Sequence, residues 1–335
     1  MKRKQKFESL YDLQDYFRTE KQCIKYFIQQ RWQGKITCPH KNCKKFYNVD
    51  NKIYKLKSGT DFKCACCGRI FSYKTGTIFE NSKISMRKWF MAIYLQTANK
   101  KGISSPQLAR QIKVKQQTAW FMLQRLKEVE KNNFFKKKFA GTTEADECYV
   151  GGLEQNKHTN KKGQDDKACV FGMINRDTKQ AKVYHVSSNE KDVLLSKINV
   201  NIDNGDSRER ERERESSCRA TIITDTLQAY TDLSKWYNHK TVKHCAGEYN
   251  RNEKDKDGRT AFKVNTNSIE GFWSIVKRTI IGTHHWISKK HLQRYLSDIS
   301  FRYNTKAFKD TNRFDYFLGN TQGRLKYNCL IGKVL

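Results

Sequence analysis

Acidic residues are scarce in this 335-residue chain: Asp and Glu total 34 against 66 Lys and Arg, which leaves a formal charge of +32. Apolar runs are short too. None approaches the ~18 residues that a membrane span needs, which excludes a spanning helix. No apolar h-region follows Lys2-Arg3-Lys4, which excludes a secretory signal and makes an intracellular protein the expectation. In a reducing compartment the 11 cysteines are metal ligands before they are disulfides. What is present is a chain with 37% hydrophobic and 12% aromatic residues, enough for about two folded domains and too rich for a basic low-complexity tail. A folded, basic, aromatic protein points to a polyanion, and nucleic acid fits best.

The charge is uneven. Residues 1–140 hold 32 Lys+Arg and 9 Asp+Glu, a net of +23, and residues 141–335 hold 34 and 25, a net of +9. An excess of 23 would make a compact segment repel itself without a counter-ion partner, so phosphate contacts are expected there.

Residues 8–32 read as helical, with Leu10, Leu13, Phe17, Ile24, Phe27 and Ile28 on one face. Cys38 and Cys43 then stand with four residues between them, and Cys64 and Cys67 with two, with a β-rich stretch and a Ser58-Gly59 turn between the pairs. Two cysteine knuckles joined by a hairpin predict a zinc ribbon with one structural Zn²⁺ on Cys38, Cys43, Cys64 and Cys67. Cys66 and His40 are the rival ligands, with His40 expected to point outward. A ribbon this small cannot bury enough apolar surface unaided, so the metal carries its fold.

Beyond Ser85 the helical pattern returns. Ser104 or Ser105 caps a short helix with Pro106 at its first position, a turn falls at Lys113-Val114, and a second helix runs from Gln116 to Val129. This has the size of a helix-turn-helix, with Lys113, Lys115, Gln116 and Gln117 placed for phosphates and base edges. The plainer alternative is a helical hairpin whose Leu108, Ile112, Ala119, Phe121 and Leu126 are core.

From Phe139 the texture becomes mixed: three strands, helix, strand, helix, strand, helix, which is the RNase H-like order. Glu144, Asp146 and Glu147 fall near the end of the first strand, Asp225 at the end of a short apolar strand, and Glu270 on a late helix. Asp146, Asp225 and Glu270 occupy the three places from which carboxylates converge in that order. Converging carboxylates repel unless cations sit between them, and hard oxygen ligands suit two Mg²⁺ or Mn²⁺. Glu144 or Glu147 can stand in for Asp146, although strand alternation puts Asp146 and Glu147 on opposite faces. Asp225 can equally be a helix cap, and Glu270 a solvated helix residue.

The stretches FSYKTGTIFENSKISMRKWF, EADECYVGG, TDTLQAY and NTNSIEGFWSIVKRTIIGTHHWISKKHLQRYLSDISFRYN resemble the ISXO-two-like transposases, DDE enzymes of small bacterial insertion sequences with relatives in the Merlin elements of eukaryotes. The resemblance runs from the N-terminal helices to Asn304. It implies a zinc ribbon, a helical DNA-binding segment and a nuclease core with metal-binding acids at Asp146, Asp225 and Glu270. It also implies DNA contacts at Asn267 and at Lys277 with its neighbour Arg278, and Lys289 and Lys290 are read as phosphate contacts. The chain departs from the family in having Asn265-Thr266-Asn267 where relatives often have His-Thr-Asn, and in the long first knuckle.

The expected organisation is an α/β protein: a helical segment (1–33), a zinc ribbon (34–75), a helix-turn-helix segment (76–138), an RNase H-like catalytic domain (139–310) and a tail (311–335). The alternating Arg-Glu run at 207–218 reads as a tolerated low-complexity loop insertion. The expected function is a DNA transposase that binds terminal inverted repeats and performs Mg²⁺-dependent cleavage and strand transfer. The alternative is a DNA-binding regulator on an inactive nuclease fold. The expected partners are double-stranded DNA at element ends and target, with no membrane; the resemblance further implies a homo-oligomer on paired ends. The expected location is the bacterial nucleoid, or the nucleus in a eukaryote.

Overall fold

A computed structural model describes residues 7–40, 43, 52–133, 135–151, 167–203, 220–243, 247–254, 257 and 259–332. The Arg-Glu run at 207–218 and residues 44–51, between the two cysteine pairs, lie outside those residues. The chain divides into two compact units, residues 1–134 with 305–335, and residues 135–304.

In the first unit the stretch expected as one helix is two, α1 (Leu10–Tyr16) and α2 (Glu20–Trp32). Two capping boxes explain the break. Ser9 and Asp12 start the first helix, and Thr19 and Gln22 each satisfy the other's backbone N–H to start the second. A three-stranded antiparallel sheet follows: β1 (Ile53–Lys55), β2 (Asp61–Cys64) and β3 (Ile70–Ser72). Next come α3 (Met86–Ala98), α4 (Ser105–Ile112) and α5 (Gln116–Asn133). Ser104 is the cap of α4, so Pro106 takes the second helical position rather than the first, where its missing N–H is equally harmless. Lys113 closes α4 in the left-handed conformation, φ 52°. Leu108, Ile112, Ala119 and Leu126 are buried, and Phe121 is half-buried against Tyr327.

The segment expected as a tail is folded. Its helices are Asp310–Gly319 and Tyr327–Ile331. Phe314 packs in a T-shaped contact on Phe7 at 5.3 Å and on Phe90 at 5.2 Å, and buried Arg313 donates to the carbonyls of Thr97 and Thr305.

The second unit is built on a five-stranded mixed sheet. Its strands are β4 (Thr142–Val150), β5 (Ala168–Asn175), β6 (Ala181–Val186), β7 (Thr221–Asp225) and β8 (Asn238–Val242), in the order β6-β5-β4-β7-β8. β4, β5 and β6 form an antiparallel meander, while β7 and β8 run parallel to β4. Helix α6 (Lys191–Asn201) leads to β7, and a 3-10 helix (Gln228–Lys235) leads to β8. The stretch between β8 and the next helix carries the hairpin β9 (Arg251–Lys254) and β10 (Thr260–Val264). Then come α7 (Asn267–Thr279), a π-helical turn (Ile280–His284) and α8 (Lys289–Asn304).

Alternation divides the sheet between two cores. Ala145, Phe171, Met173 and Ile222 face α6 and the 3-10 helix; Cys148, Val170 and Ile174 face α7 and α8. The second face is the one that carries the candidate site.

Candidate active site

β4 extends to Val150, so its acids lie in mid-strand rather than at its end. Its parallel pairing with β7 stops earlier, at Glu144↔Ile223. Asp146 and Asp225 lie two residues beyond the last paired positions of these neighbouring strands, and the Asp225 charge reaches Asp146. An open cleft of about 550 Å³ lies beside this part of β4. It is lined by Asp146, Glu147, Glu270, Trp273 and Lys277, among others. Glu270, Trp273 and Lys277 fall at positions i, i+3 and i+7 of α7, one helical face. Asp225 is outside that lining, one strand over.

The charges of these acids act on one another. Burial pushes the Asp146 carboxyl up to about 6, with the Asp225 and Glu270 charges adding to the rise and the Trp273 N–H opposing it. Burial and the Asp146 and Asp225 charges push Glu147 up to about 8. Burial, and after it the Glu147 charge, raises the thiol of Cys169, which belongs to the α6 side, whereas Asp146 bonds to α7. Strand alternation sends the two acids to opposite faces, yet both line the cleft.

Each acid is held. Asp146 Oδ2 accepts from Trp273 Nε1 at 2.9 Å. Asp225 Oδ1 accepts from the Leu227 backbone N–H at 3.0 Å, so it caps the following turn as well as facing its neighbours. Glu270 Oε1 accepts from Thr266 Oγ1 at 2.9 Å.

Three residues that the sequence reading passed over set this arrangement. Gly172 is paired with Asp146 on β5, and a Cβ there would lie 2.5 Å from Trp273 Cη2 and 3.0 Å from Ile269 Cδ1. The missing side chain lets α7 settle on the sheet and brings the indole N–H to Asp146. Trp273 is itself the second. The third is Arg176. It donates to Glu144 Oε1 at 2.6 Å and to the carbonyls of Lys263 and Asn265, while Glu144 Oε2 takes the backbone N–H of Ile269. Glu144 is fully buried and engaged at both oxygens, so it holds the start of α7 in place.

Of the expected DNA contacts, Lys277 lines the cleft. Asn267 and Arg278 are exposed on α7, and Arg278 Nε donates to the Ser274 carbonyl. Lys289 and Lys290 are exposed in the first turn of α8, away from the cleft lining; Lys289 acts on His185 of β6. In the first unit Lys113, Lys115, Gln116 and Gln117 are all exposed. Gln116 Nε2 donates to Ser105 Oγ, which ties it to α4. Lys88 Nζ donates to the Lys113 carbonyl and adds a cation to this corner that the sequence reading had not picked out.

The four cysteines Cys38, Cys43, Cys64 and Cys67 offer sulfur atoms within 4.8 Å of one another. The Cys38–Cys67 and Cys43–Cys64 pairs are each 3.8 Å apart. A tetrahedron with ~2.3 Å zinc–sulfur bonds has edges of about 3.8 Å, so the cluster can hold a zinc ion. Burial raises the Cys64 thiol, but the backbone N–H groups of Cys67 and Cys66 outweigh it and bring it down to about 7. Cys66 is exposed and outside the cluster. The His40 ring, expected to point outward, instead packs edge-on against Phe71 with Nε2 buried.

Among the described residues no helix is long and apolar enough to cross a membrane. Residues 138–304 match the ISXO2-like transposase domain. The chain is 26% identical over 301 residues, 85% of its length and 91% of the relative's, to an uncharacterized protein in transposable element ISH50 of Halobacterium salinarum. A pre-cleavage Mos1 transpososome structure is similar over 67% of this chain and 76% of that one, at 11% identity and a TM-score of 0.19, a score compatible with unrelated folds. On the strength of the domain match and of its relative in a transposable element, the chain belongs to the ISXO2-like transposase family.

Proposed function

We propose that this transposase binds the terminal inverted repeats of its insertion sequence and cuts and joins DNA at Asp146, Asp225 and Glu270. The observation that carries the reading is the cleft that gathers Asp146, Glu270 and Lys277, with Asp225 on the neighbouring strand near enough for its charge to raise the Asp146 carboxyl. The strand order β6-β5-β4-β7-β8, with an antiparallel meander beside two parallel strands, supports an RNase H-like catalytic unit.

The donor set fits hard divalent cations. Three carboxylates, one of them raised by burial and by the other two, make a site that is unfavourable without counter-charge. Mg²⁺ or Mn²⁺ held in two positions by Asp146, Asp225 and Glu270 would supply activation of the attacking oxygen and neutralise the leaving one. Lys277 offers a cation to a phosphate entering the cleft. Trp273 and Gly172 fix Asp146, and Arg176 with Glu144 fixes the start of α7, so the acids are set before DNA arrives. Incubating the protein with a duplex carrying its element ends and Mg²⁺ tests the reading. Site-specific strand cleavage is expected; binding without cleavage would replace it with the DNA-binding regulator.

The ribbon is proposed to hold one structural Zn²⁺. Cys64→Ser is expected to lower bound zinc from one ion per chain to none, read by elemental analysis, and to weaken end binding as the ribbon unfolds. Purified wild-type protein without zinc would refute this site.

The α4–α5 corner is proposed to read the ends, with Lys113, Lys115 and Gln117 at the DNA and homo-oligomers pairing two ends. Reversing the charge of Lys113 and Lys115 together is expected to reduce affinity. It should also flatten the plot of log affinity against log salt by about one unit per lost phosphate contact. An unchanged slope would remove this corner from the interface.

A further inference from the structure

The link between α7 and α8 has a backbone and a surface that the catalytic reading does not use. The π-helical turn Ile280–His284 is followed by His285 at φ 60°, ψ −52°. The Trp286 N–H donates back to the His284 carbonyl. That is a γ-turn in its positive-φ form, a rare and strained conformation for a residue with a side chain. Its effect is to turn Trp286 outward. The indole is 70% exposed, and Ile281 beside it is 66% exposed. A large ring held in water by a strained turn is unfavourable for folding alone, so a ligand is the natural counterpart.

The surroundings define that ligand. From residue 271 to 297 the sequence has no Asp or Glu, while it has Lys277, Arg278, Lys289, Lys290, Arg294 and three histidines. A second copy of this chain would bring the same positive surface and be repelled. A nucleic acid brings phosphates for the cations and a π-face for the indole.

We propose that Trp286 is a stacking platform for an unpaired nucleobase of the bound DNA, with Lys289 and Lys290 on the adjoining phosphates. This rests on the DNA-transposase reading and adds to it a contact with an unstacked base. The base would not be at the cut itself. From Glu270 to the end of α7 is about 14 Å of helix at 1.5 Å per residue, before the turn begins.

The test uses fluorescence anisotropy with the full chain and three labelled probes. These are a 20-nucleotide single strand, the matching fully paired duplex, and the same duplex with one bulged thymine. Wild type should prefer the bulged duplex to the paired one. Trp286→Ala should lose that preference, weakening bulged-duplex binding about tenfold, with paired-duplex affinity and salt slope unchanged. Trp286→Phe should retain most of it, and Lys289→Ala with Lys290→Ala should flatten the salt slope instead. An undiminished preference in Trp286→Ala overturns the proposal and leaves the transposase reading standing. So does a changed oligomeric state of that variant, by gel filtration, with DNA binding intact, since the ring would then serve a self-interface. No binding of any probe by the wild type would instead overturn the DNA-binding reading itself.

Discussion

Asp146→Asn is expected to reduce strand cleavage and joining about 10³-fold or more, because several kcal/mol of charge stabilisation at 1.36 kcal/mol per tenfold are lost with one ligand. Asn is the informative substitution. It keeps a side-chain oxygen for the Trp273 N–H at Asp146 Oδ2, so the indole and α7 stay in place while the charge disappears. Alanine would leave a half-buried N–H without its acceptor and confuse chemistry with folding. The metal-free variant should be no less stable than the wild type, since one of three mutually repelling carboxylates is gone. The sign follows from the raised carboxyl. An acid whose folded-state pKa of about 6 lies above its ordinary value contributes stability that is fully present below the ordinary carboxylate range and is lost as pH rises through 6. Added Mn²⁺ should raise the melting temperature of the wild type and not that of the variant, because a ligand that binds only the folded state stabilises it. Normal cleavage by Asp146→Asn would end the DDE reading. Binding of element ends is expected to persist, since it is assigned to the first unit.

The acids were legible because each stands where a local pattern changes: in a strand, at a strand's end, or near the start of a helix. Asp225 shows that the capping and the site readings need not compete, since one oxygen caps Leu227 while the charge acts on Asp146. Their support was not legible. A glycine within a strand reads only as a weak β-former, and a tryptophan in an amphipathic helix reads as core. Nothing local says that Gly172 makes room for Trp273, about a hundred residues later. Arg176 and Glu144 are 32 residues apart and meet across a hairpin, and Arg176 reaches the Asn265 carbonyl 89 residues away. The C-terminal helix at 310–319 read as a tail because its partners are as remote as Phe7. The break between α1 and α2 was readable in principle: Thr19-Glu20-Lys21-Gln22 is a capping box inside an otherwise continuous helical pattern. The apolar periodicity runs on across it and masks the break.

Glu144 and Asp146 show how little residue type decides. They are two residues apart on one strand and one face, and the sequence allowed either to be the catalytic acid. Glu144 is fully buried, is paired with Arg176 and takes the Ile269 N–H. Removing one partner of such a pair leaves a buried charge uncompensated, which costs about 3–5 kcal/mol. Glu144→Ala is therefore expected to lower the melting temperature of the second unit by roughly 10 °C, at ~2–4 °C per kcal/mol for a unit of this size. It should also release the start of α7, so cleavage falls with the fold rather than independently of it. Glu144→Gln, which keeps the shape and one acceptor oxygen, should recover part of both. The Mn²⁺-induced rise in melting temperature separates the two roles: it should survive in Glu144→Gln and vanish in Asp146→Asn. If Glu144→Gln instead lost the Mn²⁺ response and all cleavage while melting as the wild type does, Glu144 would be a metal ligand, and Arg176 would be its counter-ion rather than the clamp on α7.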